Sequence, residues 1–270
     1  DDVMNMQREV IYKKRKNALD VNRLKVDVAN MIFESAESIY LDAKNKNDYK
    51  EFEFNLIRYF GITSSINKED FESQDQLNLV NRLYKDILEN YKKKNLENVN
   101  KVFPIIKNVY ENPKNKYERI VVPFTDGKKT MNIVTNLKNA YDSKGKELID
   151  DFEKNITLAI IDETWKTHLR KMDELRQSVQ LAVHEQKDPL LIYKFEAKEL
   201  FFSMIDDLNK DILTFLMKAD LPTRDPNQIR EDRQTRRQQN YKTSKEDVLN
   251  NSSLFKTCLL YTSPSPRDRG

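Results

Sequence analysis

The sequence predicts a mainly α-helical protein that contains one long helix, a small helical subdomain with a short β-hairpin, and an antiparallel pair of helices. Three observations lead to this prediction. Glycine is nearly absent, at 4 of 270 residues, and 34% of the residues are charged, which favours long solvated helices over turn-rich sheets. Apolar residues make up 38% of the chain, which is enough for a folded core. Two long stretches repeat apolar residues every three or four positions, as amphipathic helices do.

Residues 1–45 are predicted to form one long helix. No glycine or proline occurs from Asp2 to about Lys44, and a stripe recurs at three-to-four spacing: Val10, Asn17, Val21, Leu24, Val28, Met31, Ser35 and Ile39. At 1.5 Å per residue, such a helix is roughly 60 Å long. Because this length exceeds any small core, we expect a strut for several packed units, with one half of a coiled coil as the alternative.

Residues 46–145 are predicted to form the helical subdomain, with the β-hairpin near residues 117–137. Asn67, followed by Asp70 three positions later, is close to a capping signal for a helix. In "YERIVVPFTDGKKTMNIVTNL", β-branched runs flank a turn, and Pro123 places its strand at a sheet edge.

Residues 146–222 are predicted to form two helices that turn back on each other. The first carries a strict alternation of three and four: Leu158, Ile161, Trp165, His168, Met172, Leu175, Val179 and Ala182. The second stripe is Leu190, Tyr193, Ala197, Phe201, Met204, Leu208, Ile212 and Phe215. Because the connection is short, the helices must run antiparallel, and Asp188 and Pro189 suit the start of the second. We expect the packing between them to include Trp165, Met172, Leu175, Phe201 and Met204.

Residues 223–250 and 251–270 are expected to lie outside this fold. The first segment loses apolar periodicity and is rich in Arg, Gln and Asn, which is typical of a polar mobile linker. Its basic run "RQTRRQQNYK" could touch phosphates or anionic lipid, but nearby acidic residues and a single aromatic favour a solvated linker. The second segment shares neither the phase nor the composition of the rest, so we expect a non-native tail.

The sequence contains no catalytic constellation. The net charge of +3 gives no strong attraction to nucleic acid, and Cys258, the single cysteine, cannot form an internal disulfide. Gly127 and Lys128 superficially resemble a phosphate-binding loop, but the second glycine is missing, so a plain β-turn is predicted. His168 lies in an apolar stripe without a second ligand at helical spacing, which favours a packed histidine over a metal ligand. Spacing alone favours a plain connector at residues 184–187.

Several segments resemble the C-terminal part of the SecA family, the motor ATPases of bacterial preprotein translocation. The most specific are "LAIIDETWKTHLRKMDELRQSV" and "EQKDPLLIYKFEAKELF"; "DDVMNMQREVIYKKRKNAL" adds to them, and "VVPFTDGKKTMNIV" and "KGKELIDDFEKNITLAII" are similar to the Bacteroidetes-type branch. The resemblance covers about residues 1–222. It implies that residues 1–45 are the long scaffold helix, 46–145 the helical wing, and 146–222 the two-helix finger with the return scaffold helix.

The resemblance also implies a function in protein transport through the Sec pathway. ATP-driven motion would reach the finger, whose tip contacts unfolded preprotein at the SecYEG channel. The tip residues would be His184, Glu185, Gln186 and Lys187. His184 stands where the family has tyrosine, so we hypothesise that the grip on a polypeptide varies with pH at about 6 to 7.

The chain begins with Asp1-Asp2 inside a helical pattern, so we expect it to be part of a longer protein. ATP and Mg would bind to the motor domains upstream. This portion lacks the nucleotide motifs, and we expect it to be inactive alone and to hold no cofactor or metal. The implied location is cytoplasmic, peripheral at the inner membrane.

The implied partners are SecYEG, unfolded preprotein and the upstream motor domains, with no specific nucleic acid. An anionic membrane surface and a homodimer stay open as further contacts. Two other classes of protein also stay open. In a free-standing coiled-coil scaffold the stripes would serve only oligomerisation, and a basic nucleic-acid-binding module would rest on the Arg-rich segment.

Overall fold

The computed structural model describes residues 2–73, 75–112, 117–181, 188–222 and 230–231, and it confirms the mainly α-helical fold. The elements in chain order are α1 (Asp2–Ala18), α2 (Val21–Lys46), α3 (Tyr49–Phe60), α4 (Lys68–Ser73), α5 (Gln76–Glu111), β1 (Arg119–Thr125), β2 (Thr130–Asn136), α6 (Leu137–Asp142), α7 (Lys146–Leu181), α8 (Pro189–Lys218) and β3 (Arg230–Glu231). Within these ranges, every helix is too short or too polar to cross a membrane.

The single helix predicted over residues 1–45 is two helices, so that prediction is wrong. The break lies at Leu19 and Asp20. The backbone of Asp20 is extended, and its Oδ1 accepts hydrogen bonds from the backbone N–H groups of Asn22 (3.0 Å) and Arg23 (3.2 Å). An aspartate in this position caps the new helix and competes with continuation of the preceding one. Because the apolar spacing continues across the break, the periodicity does not reveal it.

Helices α2, α3 and α4 contribute the rings of an aromatic cluster. The rings of Tyr40, Phe52 and Phe71 lie 5.2 to 6.3 Å apart between centroids, and Tyr49 packs beside them. Edge-to-face and tilted ring contacts of this kind stabilise a core beyond simple area burial. The 36-residue helix α5 also packs against α2, α6 and α7. The region predicted as a subdomain, residues 46–145, therefore shares one hydrophobic core with the residues on both sides of it.

Strands β1 and β2 form the predicted hairpin and pair antiparallel along their whole length. The turn between them contains Gly127, whose φ of 89° suits a residue without a Cβ. Asp126 Oδ1 accepts hydrogen bonds from the backbone N–H groups of Lys128 (2.8 Å) and Lys129 (2.7 Å). The segment is therefore a β-turn and not a phosphate loop. The buried face of β1 consists of Ile120, Val122 and Phe124.

Helices α7 and α8 run antiparallel along each other, as predicted. Near the start of α7, the Phe152 ring lies 6.3 Å from the Phe215 ring near the end of α8. Further along α7, the His168 ring lies 5.7 Å from the Phe201 ring. Because positions that advance along α7 meet positions that recede along α8, the two helices have opposite directions.

Candidate functional site

The candidate site is the helical hairpin of α7 and α8, because the sequence places the proposed contact residues at its tip. His184, Glu185, Gln186 and Lys187 lie outside the described residues. The helices that flank them are described: α7 ends at Leu181, and α8 begins at Pro189. Asp188 caps α8, since its Oδ1 accepts a hydrogen bond of 2.9 Å from the backbone N–H of Leu190.

The five residues predicted to pack between the helices are all at least partly buried. Met172, Leu175 and Met204 are buried, whereas Trp165 and Phe201 are partly buried against the main core. The second predicted stripe is wrong at Leu190, whose side chain is 59% exposed. In this first turn of α8, the side chains that pack against the core are Ile192 and Tyr193. At 100° per residue around the helix, Leu190 lies on the side of Tyr193 that faces away from Ile192, so it points out of the packed face.

A third helix, α1, braces the half of the hairpin closest to the tip. This part has its own small core, formed by Met172, Leu175, Val179 and Ala197 with Val3, Met4, Ile192, Tyr193 and Leu200 packed against it. Val3 and Met4 belong to α1. The apolar stripes in the sequence predict that α7 and α8 pack on each other. They do not predict that α1 also packs against this end of the hairpin.

Gln7 of α1 joins all three helices through two buried hydrogen bonds. Its Nε2 donates to the backbone carbonyl oxygen of Ala197 on α8, at 3.0 Å. Its Oε1 lies 3.0 Å from Nε2 of His168 on α7. Gln7 is 5% exposed and His168 is 1% exposed, so neither bond competes with water. Ala197 is fully buried, and its small side chain lets α1 approach the α8 backbone closely.

The hydrogen bonds of Gln7 fix the tautomer of His168. Because the side-chain N–H of Gln7 donates to the Ala197 carbonyl, its oxygen must accept, and His168 Nε2 must carry the hydrogen. Nδ1 of His168 is buried and has no hydrogen-bond partner among the described residues. The His168 ring stacks on Trp165 with centroids 5.5 Å apart. Burial, with a smaller contribution from the charge of Lys171, lowers the pKa of His168 to about 4.

Sequence reasoning missed Gln7, although a signal was present. The buried positions of α1 are Gln7, Ile11 and Ala18, which share one helical face at spacings of four and seven. The predicted stripe instead placed Val10 on the packed face, and Val10 is 42% exposed. A glutamine at the same phase as Ile11 was the cue for a buried polar contact.

An ion pair on the surface adds to the attachment of α1. Arg15 makes two hydrogen bonds to Asp162 of α7, from Nε at 2.9 Å and from a terminal guanidinium nitrogen at 3.1 Å. Both side chains are about half exposed, so this bidentate pair contributes little stability. Its planar geometry nevertheless restricts how α1 lies along α7.

The described surroundings of the hairpin include one cleft with a charged rim. A cleft of about 440 Å³ lies between the β1–β2 turn, α7 and α8, and charged residues line its rim. At this rim, Nζ of Lys129 lies 3.6 Å from Oε2 of Glu163. Burial, and next the charge of Asp207, raise the pKa of Asp211 at the same rim. Among the residues that the structure describes, no group of three or more His, Cys, Asp or Glu side chains could hold a metal ion.

Comparisons with known proteins agree with the helical architecture. Residues 1–220 match the family model for the SecA wing and scaffold domain. The chain is similar to the protein translocase subunit SecA of Flavobacterium psychrophilum and of Christiangramia forsetii, with 56% and 55% identity over 250 residues. Each alignment covers 93% of this chain and 22% of the relative.

A third relative, the protein translocase subunit SecA of Parabacteroides distasonis, is 42% identical over 225 residues, which are 83% of this chain and 20% of that protein. The chain therefore spans about a fifth of the length of the curated relatives that it matches. Since the family model extends over most of the chain and agrees with the fold, the chain belongs to the SecA family, of which residues 1–220 form the wing and scaffold domain.

Proposed function

We propose that this chain serves as the mechanical arm of a SecA-type preprotein translocase. In this function, the α7–α8 hairpin is the finger, and His184, Glu185, Gln186 and Lys187 at its tip contact an unfolded preprotein at the SecYEG channel. The observation that carries the proposal is the brace of the hairpin by α1. Gln7 hydrogen-bonds to α7 and α8 at once, so a displacement of α1 moves both helices together.

Length and stiffness suit the hairpin to this task. At 1.5 Å per residue, the 36 residues of α7 extend over roughly 50 Å. A single helix of that length would bend, but α8 packs along it and α1 supports the end near the tip. A push applied at the base is therefore delivered at the tip.

The source of motion would lie elsewhere in the same polypeptide. Motor domains in that other part of the polypeptide would bind ATP and Mg. The protein would work in the cytoplasm, peripheral at the inner membrane. Anionic lipid and a second copy of the protein would be further contacts.

Site-specific photocrosslinking tests this function in the complete translocase. A photoreactive residue at Gln186 is expected to crosslink to a preprotein arrested in the SecYEG channel while ATP is present. The matched control is the same residue at Leu96, which is exposed on α5 in the wing. The proposal fails if position 186 gives no more crosslinked preprotein than position 96.

A further inference from the structure

Among the residues that the structure describes, the outer edge of strand β1 has partners at its two ends and none at its centre. One edge of β1 pairs with β2, and the order of the sheet is β2-β1-β3. Asp126 N–H bonds to Lys129 and Leu137 N–H bonds to Glu118, so the even-numbered residues of β1 direct their backbone groups toward β2. The odd-numbered residues Val121, Pro123 and Thr125 therefore direct theirs to the outer edge.

At the C-terminal end of β1, the outer edge pairs with the segment that follows α8. Thr125 and Asp220 exchange two backbone hydrogen bonds of 2.9 Å each. Asp220 is also held by Lys94 and Lys101 of α5, with shortest contacts of 3.0 and 2.8 Å. Two lysine contacts and two backbone bonds make this end a fixed attachment.

Near the N-terminal end of β1, the outer edge pairs with β3, a strand of only two residues. Val121 pairs with Arg230 and Ile120 pairs with Glu231, both antiparallel. By the alternation above, Val121 and Arg230 form the hydrogen-bonded pair, and the backbone groups of Glu231 point away from β1. Neither residue is β-branched or aromatic, and glutamate is depleted in strands, so this pairing depends on backbone bonds more than on side-chain preference. The sequence predicts a linker without structure here, and the structure adds this contact.

Pro123 separates the two ends. It has no backbone N–H, so the centre of the outer edge cannot donate to a neighbouring strand. The prediction that Pro123 places its strand at the edge of the sheet is wrong, because β1 lies between β2 and β3. Among the described residues, Pro123 lies between the outer-edge pairs Thr125–Asp220 and Val121–Arg230, where a missing N–H breaks no pairing. A proline here also limits continuous pairing with other chains.

We propose that the outer edge of β1 at Val121 is an acceptor site for an extended polypeptide strand, and that Arg230–Glu231 is its exchangeable occupant within the free chain. Recognition through backbone groups alone is largely independent of sequence, so the site fits an extended segment of any protein that can present paired N–H and C=O groups. A segment rich in β-branched residues should pair better than Arg230–Glu231 does and displace it.

Amide hydrogen exchange in the full chain tests the first half of this proposal. Arg230→Pro places a proline ring against Val121, so the Val121 amide is expected to exchange about fivefold faster, as for one lost hydrogen bond. Glu231→Pro is the matched control, because the N–H that it removes points away from β1. The Thr125 amide should be unchanged in both variants, since Asp220 holds it, and it reports that the sheet is intact.

A peptide of alternating threonine and valine with lysine ends tests the second half. Added to the Arg230→Pro chain, it should restore the protection of the Val121 amide, whereas the same peptide with an N-methyl group on every residue should not, because neither of its edges can donate hydrogen bonds. The proposal is overturned if Val121 exchanges equally fast in the unsubstituted chain and both proline variants. It is also overturned if the N-methylated peptide protects Val121 as well as the unmodified one.

Discussion

At the scale of single residues, the Gln7–His168 contact shows how two polar side chains set the packing of three helices. An apolar residue at position 7 would fill similar space, but it would leave the Nε2 hydrogen of His168 without an acceptor. A buried polar group without a partner costs about 1 to 3 kcal/mol. The contact therefore favours one arrangement of α1 on the hairpin over arrangements in which α1 slides or rotates.

Acid is expected to destabilise the chain through His168. The pKa of His168 is lowered to about 4 in the folded state, whereas an unfolded histidine has a pKa of about 6.5. Between these values the unfolded state binds more protons than the folded state. The free energy of unfolding should therefore fall as the pH drops from about 6.5 to about 4, by at most about 1.4 kcal/mol per pH unit from this residue. Denaturant titrations across this pH range measure the effect.

The control for this prediction is His168→Gln, which keeps a side-chain donor but cannot titrate. Comparison with the variant is necessary because burial raises the pKa of Glu153 and of Asp211. Those carboxyl groups bind protons more readily when folded, so they contribute stability as the pH falls, opposite in sign to His168. They are present in both proteins and cancel in the difference. Parallel pH profiles for the two proteins would show that His168 does not act in this way.

At the scale of elements, the α7–α8 hairpin depends on the small core near its tip, and substitution of Met172 tests how much that core stabilises the chain. Met172→Ala removes a buried side chain from the contact of α7 with α8 and should lower the free energy of unfolding by about 2 to 5 kcal/mol. Phe202→Ala, on the outer face of α8, should change it by less than about 0.5 kcal/mol, because Phe202 is 57% exposed. Equilibrium denaturation of both variants checks this. Equal losses would mean that the facing sides of α7 and α8 are assigned wrongly.

Periodicity predicted these two helices well because each apolar stripe has one phase over many turns. The same argument failed at Asp20, where a cap formed by local hydrogen bonds interrupts a stripe that continues in phase. It also failed for α1, because the apolar pattern selects Val10 for the packed face, whereas the residue that is buried is Gln7. Apolar spacing reports the average face of a helix and does not report a polar residue that is buried because it has found partners.

At the scale of the whole molecule, the parts that sequence could not predict are long-range contacts. Asp220 bonds to Lys94 and Lys101, and Arg230 pairs with Val121; in each case the partners lie more than one hundred positions apart. Nothing in the local sequence of either partner indicates the other. These contacts attach the end of α8 to α5 and to the hairpin of strands. The Asp220 contacts hold the end of α8, α5 and strand β1 together, which the proposed transmission of force to the tip requires.

The distance between α7 and α8 tests the central claim, a rigid hairpin braced by α1, most directly. Nitroxide labels at Thr167→Cys and Phe202→Cys, in a chain with Cys258→Ser, lie beside His168 and Phe201. Double electron–electron resonance should give one narrow distribution centred on the order of 20 to 30 Å, from an interaxial separation of about 8 to 10 Å plus the two labels. Gln7→Leu should broaden it. A broad distribution in the chain that retains Gln7, or no response to the loss of Gln7, would contradict the account.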